Sequence, residues 1–228
     1  MNWVTHLVNN ITNSLWQANC PLCKRPADRI LCKDCDRQIV AYQSPEFFQK
    51  DQPISPEIPL YSWGVYDGAL KRAIAACKYD NHPEIMEAIG EKIADAWLRS
   101  VKSKQNLKKI SIVPIPLHAK KLKSRGFNQA EILARRFCES TQLRCSPKLL
   151  QRVKDTKAQM QTKTVKERED NLSQAFTVQP HSNHRDVILF DDIYTTGATI
   201  REAIATLANS NIAVRGVIVL ARPQFDKN

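Results

Sequence analysis

Val187-Ile188-Leu189-Phe190-Asp191-Asp192-Ile193-Tyr194-Thr195-Thr196-Gly197-Ala198-Thr199-Ile200 decides how this chain folds. The first four residues are uniformly apolar, the pattern of a strand buried on both faces. Two carboxylates follow, then a small hydroxyl-rich turn, then a helical pattern over residues 199–208. That order puts the acids at the carboxyl end of a strand, where open α/β sheets bind ligands. Thr195, Thr196, Gly197, Ala198 and Thr199 offer hydroxyls and backbone N–H groups at a helix N-terminus, a setting that suits a phosphate. Asp191 and Asp192 suit two vicinal sugar hydroxyls, and a ribose 5-phosphate has both parts. By itself an Asp pair also serves as a helix cap or a Mg²⁺ ligand. The joint order after a strand is what narrows the reading.

Working outward, strand and helix signals alternate. Residues 58–66 read as strand, 68–77 as helix, 82–101 as a longer helix with Ile85, Ile89, Ile93 and Trp97 on one stripe, and 110–115 as a buried strand. Residues 129–140 read as helix, 148–153 as strand, 175–178 as an edge strand and 213–220 as the closing strand. Between these, 117–128 reads as a basic loop, open without a ligand, and 154–171 as a polar loop with a short helix. Alternation of this kind predicts an α/β fold with a mostly parallel twisted sheet flanked by helices. Val4, Val8, Ile11 and Leu15 recur at helical spacing near the N-terminus, and 36–42 reads as a second short helix. Pro45, Pro53, Pro56 and Pro59 mark a linker. The expected organisation is an N-terminal helix and cysteine module over 1–45, a linker over 46–57 and the α/β domain over 58–228.

Cys20, Cys23, Cys32 and Cys35 form C-x2-C-x8-C-x2-C, and Cys77, Cys138 and Cys145 are scattered. Each C-x2-C turn can offer two thiolates to one ion, and two such turns close a tetrahedral zinc site. Four thiolates leave no open coordination position, so the expected zinc is structural. Lys24, Arg25, Arg29 and Lys33 stand nearby to offset its negative charge.

Hydrophobic residues at 43% and charged residues at 25% exclude a disordered chain. No apolar run reaches the roughly 20 residues that span a bilayer, and the first 19 residues, without Lys or Arg, do not read as a signal peptide. A cytoplasmic protein without membrane insertion is expected. Net charge is +11, and residues 99–125 hold nine basic residues and no acid. Such a patch attracts polyanions or simply solubilises a face. It contains no aromatic residue, so a base-stacking platform is not expected there.

The stretch from Val187 resembles the phosphoribosyl diphosphate (PRPP) motif of type I phosphoribosyltransferases. The cysteine pairs, Lys78-Tyr79, Val113-Pro114-Ile115-Pro116, Arg125-Gly126-Phe127-Asn128-Gln129, Gln159 with Arg168 and Asn171, and Leu220-Ala221-Arg222 together resemble the ComF family, across residues 20–222. The resemblance implies a phosphoribosyltransferase-like fold behind a zinc module, in proteins associated with bacterial competence. It implies that Asp191 and Asp192 hold the ribose hydroxyls, that Thr195 to Thr199 hold the 5-phosphate, and that Lys78 and Tyr79 lie in the diphosphate loop. Arg125 falls in a mobile cover, and Mg²⁺ accompanies PRPP. A small residue such as Gly is expected after Tyr79, where this chain has Asp80-Asn81-His82. Two functions follow. One is an enzyme of nucleotide metabolism that transfers phosphoribosyl to an acceptor. The other is a factor for uptake of single-stranded DNA, working with uptake-machinery proteins and regulated by its ligand. Any hood recognising an acceptor base must precede Ser111, because only eight residues follow Leu220.

Overall fold

Five parallel strands form the centre, in the order β1-β7-β6-β2-β3: β1 (Leu60–Val65), β2 (Ser111–Pro114), β3 (Arg144–Cys145), β6 (Asp186–Ile193) and β7 (Ala213–Arg222). The computed structural model describes residues 18–45, 54–100, 110–154, 174–180 and 185–223. The expected helix at Val4–Leu15, most of the linker, Lys102 to Lys109, and Gln159, Arg168 and Asn171 lie outside them.

The apolar runs form strands because alternate residues feed opposite faces. Ile188 and Phe190 of β6, and Ile218 and Leu220 of β7, join one core cluster. Val187 and Leu189, with Val217 and Val219, join the other. The first face is covered by α2 (Gly68–Tyr79), α3 (Glu84–Ser100) and α5 (Gln129–Thr141). The cysteine module packs into this same cluster through Cys20, Leu31, Cys35 and Ile39, the last two on α1 (Lys33–Val40). A chain of aromatic contacts runs Tyr61–Trp97–Phe137–Phe190, with centroids 6.1, 5.6 and 5.4 Å apart. Such rings combine large buried area with favourable edge-on geometry. The second face is covered by α6 (Ala198–Ala208) and by a small antiparallel pair, β4 (Leu150–Arg152) with β5 (Phe176–Val178).

Three expectations are corrected. Residues 117–128 are not a simple loop: α4 (Ala119–Arg125) lies within them, started by the His118 side chain, which accepts from Lys120 N, and ended by Gly126 at φ +84°. The strand at 175–178 joins β4, outside the central sheet, whose far edge is the unanticipated β3. Strand β6 runs past the expected end at Phe190 to Ile193, so Asp191 and Asp192 stand within its carboxyl end, Asp191 pairing with Val219 and Ile193 with Ala221.

Candidate functional site at the sheet switch point

The chain leaves β6 through α6 toward β7 on one side, and leaves β2 through α4 and α5 toward β3 on the other. The crevice between the carboxyl ends of β6 and β2 is therefore a topological switch point, the position where such sheets hold ligands. Here β2 gives out first. Its last partner is Phe190, and Asp191 to Ile193 run on with only β7 beside them.

Two expected site residues from distant segments meet at this notch. Lys78, in the last turn of α2, places Nζ 2.5 Å from Asp192 Oδ2, with both side chains largely buried. Burial opposes a charged Lys78, but the Asp192 carboxylate, helped by Asp191, outweighs it and raises the ammonium pKa. Asp191 Oδ1 accepts from the Asp192 backbone N–H at 2.8 Å. Burial first, and the Asp192 charge second, push the Asp191 carboxyl up to about 8, against the pull of that N–H, Lys78 and Arg152. Two adjacent acids in one low-dielectric notch do not both ionise easily, and a cation would relieve them.

More cations converge than the sequence suggested. Partial desolvation by its surroundings lowers the pKa of Lys121, and the neighbouring charges of Arg125, Lys78 and Arg152 lower it further. Arg125 ends α4, and its Nη1 donates to Gln129 Oε1 at 2.6 Å. Arg152 reaches the site from β4, with its guanidinium 5.6 Å from the Phe176 ring. Lys121 belongs to the basic segment expected to close over the ligand, whereas Arg152 was not foreseen, because an arginine in a short strand carries no local signal. Tyr79 is 79% exposed at the rim. Asn81 takes φ +58° where Gly was expected, a left-handed conformation that Asn adopts more readily than most residues. Cys77 is fully buried, and burial with the Asp192 charge pushes its thiol up to about 12, so it remains protonated.

Beyond β6, Thr195 and Thr196 are exposed, and Gly197 at φ +73° caps α6. A Cβ at Gly197 would strike the Tyr194 ring, so the position needs Gly on both counts. Thr196 Oγ1 accepts from Ala198 N at 3.5 Å, and its carbonyl accepts from Arg201 Nη1 at 2.9 Å. The segment Thr195 to Thr199 thus forms the tight, hydroxyl-lined entry to α6.

The second expected site is the cysteine module. The four Sγ atoms of Cys20, Cys23, Cys32 and Cys35 lie within 4.8 Å of one another. A tetrahedral ion with bonds of about 2.3 Å spaces its sulfurs roughly 3.8 Å apart, so the set fits a metal ion of that kind. Cys20 N donates to Arg25 O and Lys24 N to Cys20 O, both at 2.8 Å, with Lys24 at φ +61°, which turns the first pair inward. Of the four expected counter-charges, Arg25 serves most directly: Nε donates to Cys23 Sγ at 3.4 Å and Nη1 lies 2.9 Å from Asp34 Oδ2. Its hydrogen bond lowers the Cys23 thiol to about 6. Lys24 instead reaches His82 Nε2 at 3.3 Å. A cleft of about 1310 Å³ lies beside the module, against α3. Its lining mixes Arg25, Arg29 and Arg37 with Asp28, Asp34 and Glu91, so it attracts no single sign of charge and is remote from the carboxylates. No described helix is long and apolar enough to cross a membrane.

A parallel α/β sheet with a carboxylate pair at its switch point, behind a four-cysteine module, is the class of protein this chain defines. No protein-family model matches it. It is 28% identical to "Competence protein ComFC" of Bacillus subtilis over 82% of this chain and 70% of that one. It is 32% identical to "Competence protein F" of Haemophilus influenzae, over 49% of this chain and 50% of the relative. With "DNA utilization protein YhgH" of Escherichia coli O6:H1 it shares 25% identity over 89% of each. The chain is similar to these competence and DNA-utilization proteins, the first of which bears the name of the family its motifs resemble. Solved structures with a looser likeness include a UMP synthase and an adenine phosphoribosyltransferase. Leishmania donovani UMP synthase matches with TM-score 0.37 and 18% identity, over 67% of this chain and 24% of that one. Leishmania tarentolae adenine phosphoribosyltransferase matches with TM-score 0.39 and 12% identity, over 75% and 94%.

Proposed function

We propose that the switch-point crevice binds PRPP with Mg²⁺ and that the cysteine module holds one structural zinc. Asp191 and Asp192 accept the ribose 2- and 3-hydroxyls, the Thr195 to Thr199 turn takes the 5-phosphate, and Lys78 with Tyr79 lies along the diphosphate. Arg125 covers the leaving group. The observation that carries this reading is the 2.5 Å pairing of Lys78 with Asp192, which joins the expected diphosphate and ribose segments in one notch. Bound Mg²⁺ would neutralise part of the diphosphate charge. The protein's own part is to position the sugar and to stabilise charge as diphosphate departs.

A second reading keeps the ligand site but gives the chain a role in handling single-stranded DNA. It is favoured by the names of its relatives and by α4, whose Lys120, Lys121, Lys123 and Arg125 include no acid and no buried residue. Diphosphate release from PRPP, measured across a panel of bases, amines and single-stranded DNA, separates the two. Release with one acceptor supports the transferase. Tight PRPP binding with no release from any acceptor supports the ligand-regulated factor, and no PRPP binding removes both.

A further inference from the structure

We infer that Gln129 is a positioning residue that holds Arg125 over the crevice before any anion arrives; this rests on the reading of the site given above. Arg125 and Gln129 are four residues apart but not on one helix. Gly126, at φ +84°, ends α4, its N–H donating to Leu122 O at 2.7 Å, and α5 starts at Gln129. Their contact is made by the turn between helices. Asn128 fixes that turn: Nδ2 donates to Ile115 O at 2.9 Å, and Oδ1 accepts from Ala130 N at 3.2 Å. The start of α5 is thereby pinned to the segment just beyond β2.

Gln129 is 2% exposed, an uncommon place for a polar side chain. Its Oε1 is engaged by Arg125 at 2.6 Å, while its Nε2 is buried and faces only the Cys77 thiol, a weak acceptor. Burying an amide N–H against so weak an acceptor costs stability, and what the fold obtains in return is control of Arg125.

The electrostatics explain why a neutral acceptor stands there. The charges of Lys78, Arg125 and Arg152 act on Lys121, and that of Arg125 acts on Lys78. Of the two acids, Asp192 is paired with Lys78 and Asp191 favours its protonated form. Without an anion, Arg125 is repelled by its neighbours and would swing to solvent. A carboxylate at position 129 would hold it but neutralise it, in competition with an incoming anion. The Gln129 carbonyl holds the guanidinium and leaves its charge available.

The probe is diphosphate with Mg²⁺, its affinity measured by calorimetry at two salt concentrations. The proteins are wild type, Gln129→Met, Gln129→Glu, Arg125→Ala and the Arg125→Ala/Gln129→Met double variant. Wild type is expected to bind. Gln129→Met should weaken binding about tenfold, roughly 1.4 kcal/mol, and should cause no further loss once Arg125 is gone. Gln129→Glu, which keeps the shape and so the fold, should weaken binding and flatten its salt dependence. An equal loss from Gln129→Met in both backgrounds means a packing role and overturns the inference, as does wild-type affinity in folded Gln129→Glu. If folded wild type binds neither diphosphate nor PRPP, the reading of the crevice falls, and the inference with it.

Discussion

Lys78 and Asp192 close a salt bridge at the carboxyl end of the sheet, between the last turn of α2 and the end of β6. Each is the other's counter-ion in the free protein, so a ligand must compete with an internal ion pair. A bound diphosphate would draw Lys78 away, and a ribose with its cation would take over Asp192.

Ligand binding should therefore be visible as stability. Saturating PRPP with Mg²⁺ should raise the melting temperature, since a hundredfold excess over Kd contributes about 2.7 kcal/mol. Asp191→Ala with Asp192→Ala should abolish the shift. A wild-type melting temperature that PRPP and Mg²⁺ leave unmoved would falsify the assignment.

Asp191 makes stability pH-dependent with a definite sign. Its folded pKa of about 8 exceeds the unfolded value of about 3.9. Between these values the folded chain binds the extra proton, so stability falls as pH rises through this window and levels off above it. Asp191→Asn should be more stable than wild type at pH 8 and equal to it below about pH 4. Urea titrations across that range check this, and a stability difference that does not change with pH rejects it.

The four-cysteine cluster should carry about one zinc per chain, by elemental analysis. Small modules of this kind derive about 10–16 kcal/mol from the metal. Because Cys20, Leu31, Cys35 and Ile39 share the core of α2 and α3, Cys20→Ser should lower the melting temperature of the whole fold as well as expose the module to protease. Retention of zinc by Cys20→Ser at wild-type level, with no change in melting temperature, would exclude this.

Asn128→Ala removes a helix cap and the bond to the Ile115 carbonyl, and should cost about 1–2 kcal/mol in chemical denaturation. Gly197→Ala faces both the left-handed backbone and the Tyr194 ring. It should destabilise by a similar amount, about 1–2 kcal/mol. Tyr194→Ala should recover only the steric part. Full recovery would mean that the backbone is not strained.

Strands β6, β7 and β2 were legible because strands buried on both faces are written as unbroken apolar runs. Helix α4 was not. Its sequence Ala119-Lys120-Lys121-Leu122-Lys123-Ser124-Arg125 buries no side chain, so no apolar period marks it, and it depends on the His118 cap and Gly126 stop. The two-residue β3 is too short to carry a pattern, and β4 gives no sign that its partner is β5. Asp191, Asp192 and Lys78 were legible as motifs. Lys121 was legible as part of the basic segment over the ligand, while the grouping of Arg152 with them arises only when β4 comes to the notch.

The pairing of β1 with β7 has a consequence for how the chain is made. Among the described strands, β1 pairs in the sheet with β7 alone, from Leu60↔Val217 to Val65↔Arg222. During synthesis β1, with the module packed behind it, must wait until residues 213–222 have left the ribosome. Contacts so distant in sequence make for slow folding, and an unpaired strand edge exposed in the interval invites aggregation. Nascent chains stalled before residue 213 should therefore stay protease-sensitive across β1, and chains released after residue 222 should become resistant there in a single step.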